Sequence, residues 1–203
     1  MPYPISVKTN DYRKNPKRSD IYTPVGVAQF LYDILSPIMR RAWNVPVVFD
    51  PAVGSGRLTD PWYDNGCCIH GCDMIDAGSR CHSFDECRFE EFNPNFDPDI
   101  VLCNSPFNGA EGRHLYPEVF LRRIFDLFGP KVPTVLICPM GMRLNQKKSS
   151  GRWKWLRDCG AKITSIVSLP TNAFPGVDFH VEILIFNVPG LQSHYFLPEE
   201  ALC

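Results

Sequence analysis

The apolar positions fall into short runs divided by turn-forming residues, and their period switches between that of a helix and that of a strand. In "IYTPVGVAQFLYDIL", Val27, Phe30, Leu31, Ile34 and Leu35 recur with helical spacing and predict an amphipathic helix. Thr23 is placed to cap it, Pro24 suits its first position, and Ser36-Pro37 is expected to end or restart it. "VPVVFD" (45–50) is a β-branched run without polar alternation, the pattern of a strand buried on both faces. "CIHGCD" (68–73), "DIVLC" (99–103), "PTVLIC" (133–138), "ITSIVSL" (163–169) and "VEILIFNV" (181–188) read as further strands. "PEVFLRRIFDLF" predicts a helix with Val119, Phe120, Ile124, Leu127 and Phe128 on one side. "SSGRWKWLRDCG" predicts another, closed by Gly160.

Strands alternating with helices predict an α/β fold with a mostly parallel central sheet. The last two strands lie too close for a helical crossover and are expected to pair antiparallel. No internal repeat or linker interrupts residues 21–203, which read as one domain. Residues 1–20 read as a basic arm carrying Lys8, Arg13, Lys14, Lys17 and Arg18, the alternative being a disordered tail.

A chain of 203 residues with 44% hydrophobic content suffices for one domain with a real core. The net charge of −1 gives no overall attraction to nucleic acid, so a nucleic-acid face has to be a local patch. No apolar run approaches the roughly 18 residues of a membrane helix. The polar N-terminus lacks the apolar stretch of a signal peptide. Nine cysteines, an odd number, fit reduced thiols in a cytoplasmic protein. "CCIHGC" with Cys81, His82 and Cys87 lacks the paired spacing of a zinc site, and strand alternation splits its side chains between two faces. Buried free thiols are the simpler reading, and no metal is expected.

Three strand ends carry chemistry. Asp50 closes one strand and runs into "PAVGSG", where Gly54 and Gly56 permit positive φ and close approach of a ligand. In an open α/β sheet, ligands bind beyond the carboxyl ends of the strands. The third glycine of a dinucleotide fingerprint is missing, and no Gly-Lys-Ser/Thr follows. Asp50 would repel a phosphate but suits a cofactor bearing an ammonium group. Asp73 closes the next strand, where an acid accepts ribose hydroxyls of an adenosine-containing ligand. "NSPF" (104–107) follows the strand ending at Cys103, with an amide, a hydroxyl, a proline and a ring in succession. Each stretch alone has a plain alternative: a glycine-rich turn, a helix-capping acid, a proline turn.

Taken in order, "IYTP", "FDPAVGSG", "CD", "NSPF" and "FPGVDFHVEILIFN" resemble the S-adenosylmethionine-dependent amino-methyltransferases. The likeness is nearest to adenine-N6 DNA methyltransferases of the gamma class and to modification subunits of type I restriction systems. It spans Tyr22 to about Val188 and implies a Rossmann-like methyltransferase fold.

The resemblance also implies roles. Asn104 and the carbonyl of Ser105 would accept the two hydrogens of the adenine amino group, whose lone pair is otherwise delocalised into the ring. Phe107 would stack on the base, with Pro106 fixing the turn between them. Phe174 of "NAFPG" would cover the other face of a base flipped out of the duplex. Tyr22, Thr23, Pro24, Asp50, Pro51, Gly54 and Gly56 would contact S-adenosylmethionine, Asp73 its ribose, and Glu91-Phe92 its adenine, with Glu90 or Asp85 as alternative acids.

Two positions depart from the family. Ser105 stands where proline is usual, and Pro61 is expected to break or restart the helix after the glycine turn. Lys147, Lys148, Arg152 and Lys154, mixed with Trp153 and Trp155, fit DNA phosphates and bases, or else a solvated helix face with two core tryptophans. Arg113 is placed to touch phosphate or to face water. No separate target-recognition domain is expected, so specificity would come from loops, a specificity subunit or a second copy of the chain, as in a compact phage or mobile-element enzyme. Methylation of a protein glutamine amide and an inactive cofactor-binding partner subunit are the other readings.

Overall fold

The structure, a computed structural model, describes residues 21–42, 45–107, 115–144, 147, 150–175, 177 and 179–202. Eight strands form one sheet: β1 (Val47–Asp50), β2 (Cys68–Asp73), β3 (Ser83–Glu86), β4 (Ile100–Cys103), β5 (Thr134–Pro139), β6 (Ile163–Ser168), β7 (Val181–Phe186) and β8 (His194–Phe196). Their order is β3-β2-β1-β4-β5-β7-β6-β8. β7 runs antiparallel to both β5 and β6, and the remaining neighbours are parallel. The expected antiparallel pairing of β6 with β7 is therefore present.

The central strands are mostly apolar because both faces are covered, the buried exceptions being Asp50, Thr134 and Glu182, the last paired with Arg143. Val48, Ile100, Leu102, Val135, Ile137, Ile183 and Ile185 point into one core, against α1 (Val25–Ala42) and Trp62 of α2 (Asp60–Asp64). Phe49, Val101, Cys103, Leu136, Cys138, Leu184 and Phe186 point into the other, under α3 (Tyr116–Phe128) and Leu156 of α5 (Gly151–Cys159). A short α4 (Gly141–Leu144) follows β5.

Four expectations need correction. α1 does not stop at Pro37 but runs through it to Ala42. Pro37 faces solvent, while Leu35 and Met39 on either side are buried. The apolar stripe Val27, Leu31, Leu35, Met39 holds the helix on the sheet and outweighs the roughly 3 kcal/mol that an internal proline costs. Thr23 is not the cap: α1 starts at Val25, the Pro24 carbonyl accepts from Ala28 N–H, and the Thr23 hydroxyl accepts from Asn104 instead. On α3 the buried stripe is Phe120, Leu121, Ile124 and Phe125, with Val119, Leu127 and Phe128 at its margin. Finally, β3 and β8 went unread, since as short, exposed edge strands they carry no apolar run. Elsewhere the reading holds: Pro61 lies in the first turn of a five-residue α2, and Gly160 ends α5 in the left-handed conformation.

Candidate active site

Parallel pairing of β1 with β2 and with β4 brings their carboxyl ends to one edge of the sheet. Asp50 and Asp73 end β1 and β2 there, and Asn104 directly follows β4. They line a cleft of about 840 Å³ together with Tyr22, Thr23, Pro51, Gly54, Arg57, Met74, Cys87, Phe89, Ser105, Pro106 and Phe120.

The glycine turn is tied into this edge. Gly54 takes φ +50° and Gly56 φ +84°, values that favour glycine. Gly54 N–H donates to Asp73 Oδ2 at 2.8 Å, and Met74 N–H donates to Asp73 Oδ1 at 2.7 Å. Gly56 stays outside the cleft lining and closes the turn, its carbonyl accepting from the Thr59 backbone N–H and hydroxyl.

Asp50 is 1% exposed, and among the described residues its one hydrogen bond comes from Ala52 N–H at 2.9 Å. Burial pushes its carboxyl up to about 8, opposed by that N–H and aided by the nearby charge of Asp73. A carboxylate so short of compensation favours a cationic ligand group.

Asn104 has a fixed orientation. Its Nδ2 donates to the Ile21 carbonyl and to Thr23 Oγ1, both at 3.0 Å. The Ile21 carbonyl can only accept, so the amide nitrogen has to face it. Both amide hydrogens are then used, and Oδ1 is left as an acceptor in the residue that lines the cleft. Proline after Ser105 restricts that residue to extended conformations, and Ser105 lines the cleft with Asn104.

Other expected residues lie elsewhere. Pro24 lines a second groove of about 940 Å³ with Val25, Asn172, Ala173, Pro175 and Leu202, which meets the cleft at Ile21, Tyr22 and Arg57. Phe107 and Phe174 come together, but edge to face at 6.0 Å and 2% and 1% exposed. A base stacks on either ring only after the other moves.

Glu91 is exposed, and Phe92 is buried against Phe49 with centroids 5.0 Å apart, so neither reaches the cleft. Phe89 occupies the aromatic position instead, because the turn after β3 is set by packing against Phe49 and Phe120. Arg152 is not a free cation: it is buried, pairs with Glu118 at 2.6 Å and donates to the Met142 carbonyl. Burial alone would raise the Glu118 carboxyl, but Arg122 and Arg152 bring it below its ordinary value. Lys147 is exposed, whereas Arg113 and Lys148 lie outside the described residues. Arg57 was missed. A cation directly after the glycine turn was the signal.

No family model matches the sequence, and no curated protein is similar enough to match. Solved structures do. A modification subunit assigned to a type I restriction enzyme of Vibrio vulnificus is 17% identical over 93% of this chain and 49% of that one, with a TM-score of 0.66. A type I restriction-modification methyltransferase subunit of Streptococcus thermophilus is 15% identical over 88% and 47%, with a TM-score of 0.61. A protein assigned to the class I S-adenosylmethionine-dependent methyltransferases, from Listeria monocytogenes, is 14% identical over 86% and 64%, with a TM-score of 0.61. The chain thus has the Rossmann-like methyltransferase fold and spans about half the length of the two modification subunits.

Proposed function

We propose that the protein transfers a methyl group from S-adenosylmethionine to the exocyclic N6 amino group of an adenine flipped out of DNA. The observation that carries this reading is Asn104. Its Nδ2 is fully engaged by Ile21 and Thr23, which leaves Oδ1 to accept a hydrogen from a planar amino group. The Ser105 carbonyl would accept the second hydrogen, so that the nitrogen lone pair is freed from the ring and directed at the methyl donor. No general base is required, because the proton leaves to water once the nitrogen is cationic.

The cleft suits the cofactor. Asp50 provides a buried carboxylate for an ammonium group, Asp73 acceptors for ribose hydroxyls, and Met74, Phe89 and Phe120 an apolar slot for adenine. The bound cofactor supplies the electrophilic methyl. The fold shared with type I modification subunits supports DNA as substrate, and a specificity subunit or a second copy of the chain as partner. Among the described residues no helix is long and apolar enough to cross a membrane.

The test is incubation with isotopically labelled S-adenosylmethionine and unmethylated genomic DNA, followed by digestion to nucleosides and mass spectrometry. Label in N6-methyladenine that vanishes in Asn104→Ala is expected. Cofactor binding without label in DNA would refute the DNA assignment for the chain acting alone.

A further inference from the structure

We propose that Arg57 binds the α-carboxylate of the methionyl group of S-adenosylmethionine, which makes it the residue that selects for the amino-acid end of the cofactor. The inference rests on the methyl-transfer reading and goes beyond it by assigning a ligand group to a residue that no motif marks.

The argument begins with charge. Among the described residues the cleft is lined by two carboxylates, Asp50 and Asp73, and by one cation, Arg57. The cofactor carries cations at its sulfonium and ammonium and one anion, the carboxylate. Asp50 takes the ammonium and Asp73 the ribose, so the carboxylate needs a partner that the rest of the described lining does not offer. An unmatched carboxylate beside two acids would be repelled.

Position agrees with charge. Asp50 precedes the Gly54–Gly56 turn in the chain, Arg57 follows it directly, and both line the same cleft. An amino acid's two ionic groups are one carbon apart, so both need partners within a single cleft. The Arg57 guanidinium sits over the Tyr22 ring, 5.2 Å from its centroid. A guanidinium held by a ring still carries the planar fork of N–H donors that grips a carboxylate through two parallel bonds. No ion pair engages Arg57 among the described residues, in contrast to Arg80, Arg122, Arg143 and Arg152, which are each paired with an acid.

Arg57 also borders the second groove, so a DNA phosphate is the competing ligand. Two cofactor forms separate the cases: S-adenosylmethionine and its decarboxylated analogue, which keeps the ammonium and sulfonium. Calorimetry on the full chain is expected to show the wild type preferring the intact cofactor by about tenfold, the lower range for a charge-assisted pair at a partly exposed site. Arg57→Gln should lose that preference while binding the decarboxylated form as the wild type does, and Arg57→Lys should regain part of it. Equal weakening of both forms in Arg57→Gln, or a retained preference, overturns the proposal. So does unchanged cofactor binding with a salt slope of DNA binding reduced by about one, which would give the guanidinium to a phosphate. A wild type that binds neither form overturns the methyl-transfer reading as well. A wild type that binds both equally overturns the Arg57 assignment alone.

Discussion

Thr23→Val tests the orientation of Asn104 directly. The substitution keeps the shape of a side chain that is 3% exposed and deletes the hydroxyl that accepts from Asn104 Nδ2 at 3.0 Å. One amide hydrogen is then left without a partner in a half-buried site, at a cost of about 1–2 kcal/mol. The amide can twist to recover part of this, and a twist takes Oδ1 off the line on which it accepts. With about 1.4 kcal/mol per decade of rate, methyl transfer should fall about 5- to 30-fold. The assay is single-turnover transfer to DNA at saturating cofactor, which removes any effect on cofactor affinity. Thr23→Ser restores an acceptor and should recover most of the rate. Asn104→Asp makes the same point from the other side. An ionised carboxylate would face the Ile21 carbonyl, acceptor against acceptor, while a protonated one can donate to it. The residual activity of Asn104→Asp should therefore rise as pH falls through the raised pKa of the new carboxyl. A wild-type rate in Thr23→Val, or an Asn104→Asp activity that is flat with pH, would refute the account of how Asn104 is held.

Asp50, with a carboxyl near 8, should make cofactor binding tighten as pH rises towards 8 and release a proton, read by calorimetry in buffers of different ionisation enthalpy; Asp50→Asn should abolish this dependence. The same shift makes the native chain hold a proton that the unfolded chain loses above its ordinary value of 3.8, so the ligand-free protein should lose stability from there up to about 8, and Asp50→Asn should flatten that slope in thermal melts. Glu118→Gln leaves Arg152 charged and buried without its anion and should cost about 3–5 kcal/mol, seen as a lower urea midpoint; Arg152→Met should leave the salt slope of DNA binding unchanged. Gly26→Ala places a methyl group on the Ala201 carbonyl and should displace the Glu199–Ala201 turn from α1, which faster amide exchange in that turn would report.

The parts of the fold legible in the sequence are those where burial leaves only one arrangement. β1, β4, β5 and β7 are covered on both faces, so their sequences are mostly apolar runs, Glu182 of β7 being tolerated through its pairing with Arg143, and Asp50 and Asn104 are conspicuous because they end such runs. Edge strands β3 and β8 are set by pairing with a neighbour rather than by their own pattern, and leave no such mark. Cofactor contacts followed the same division. Asp73 was readable because it ends β2, whereas Glu91 and Phe92 lie in a turn whose register is decided by packing among Phe49, Phe89, Phe92 and Phe96. Arg152 looked like a phosphate contact because a basic residue next to a tryptophan reads alike on a wet face and over a buried acid. Its partner is 34 positions away, beyond any local pattern.

The aromatic pair shows why a correct choice of residues can still miss the state of a site. Phe107 and Phe174 are the rings expected to enclose a base, and chain topology does bring them together. Without a base, two large apolar rings would each expose apolar surface, and their mutual contact together with Phe179 removes it from water. The hydrophobicity that would let them grip adenine therefore also closes them on each other. On the proposed reading, an adenine leaving the duplex would lose its stacking there and regain about 1–3 kcal/mol of stacking on Phe107 by replacing Phe174. Such an exchange of one ring contact for another would keep the cost of opening small, and it would start next to the second groove, which Asn172, Ala173 and Pro175 border.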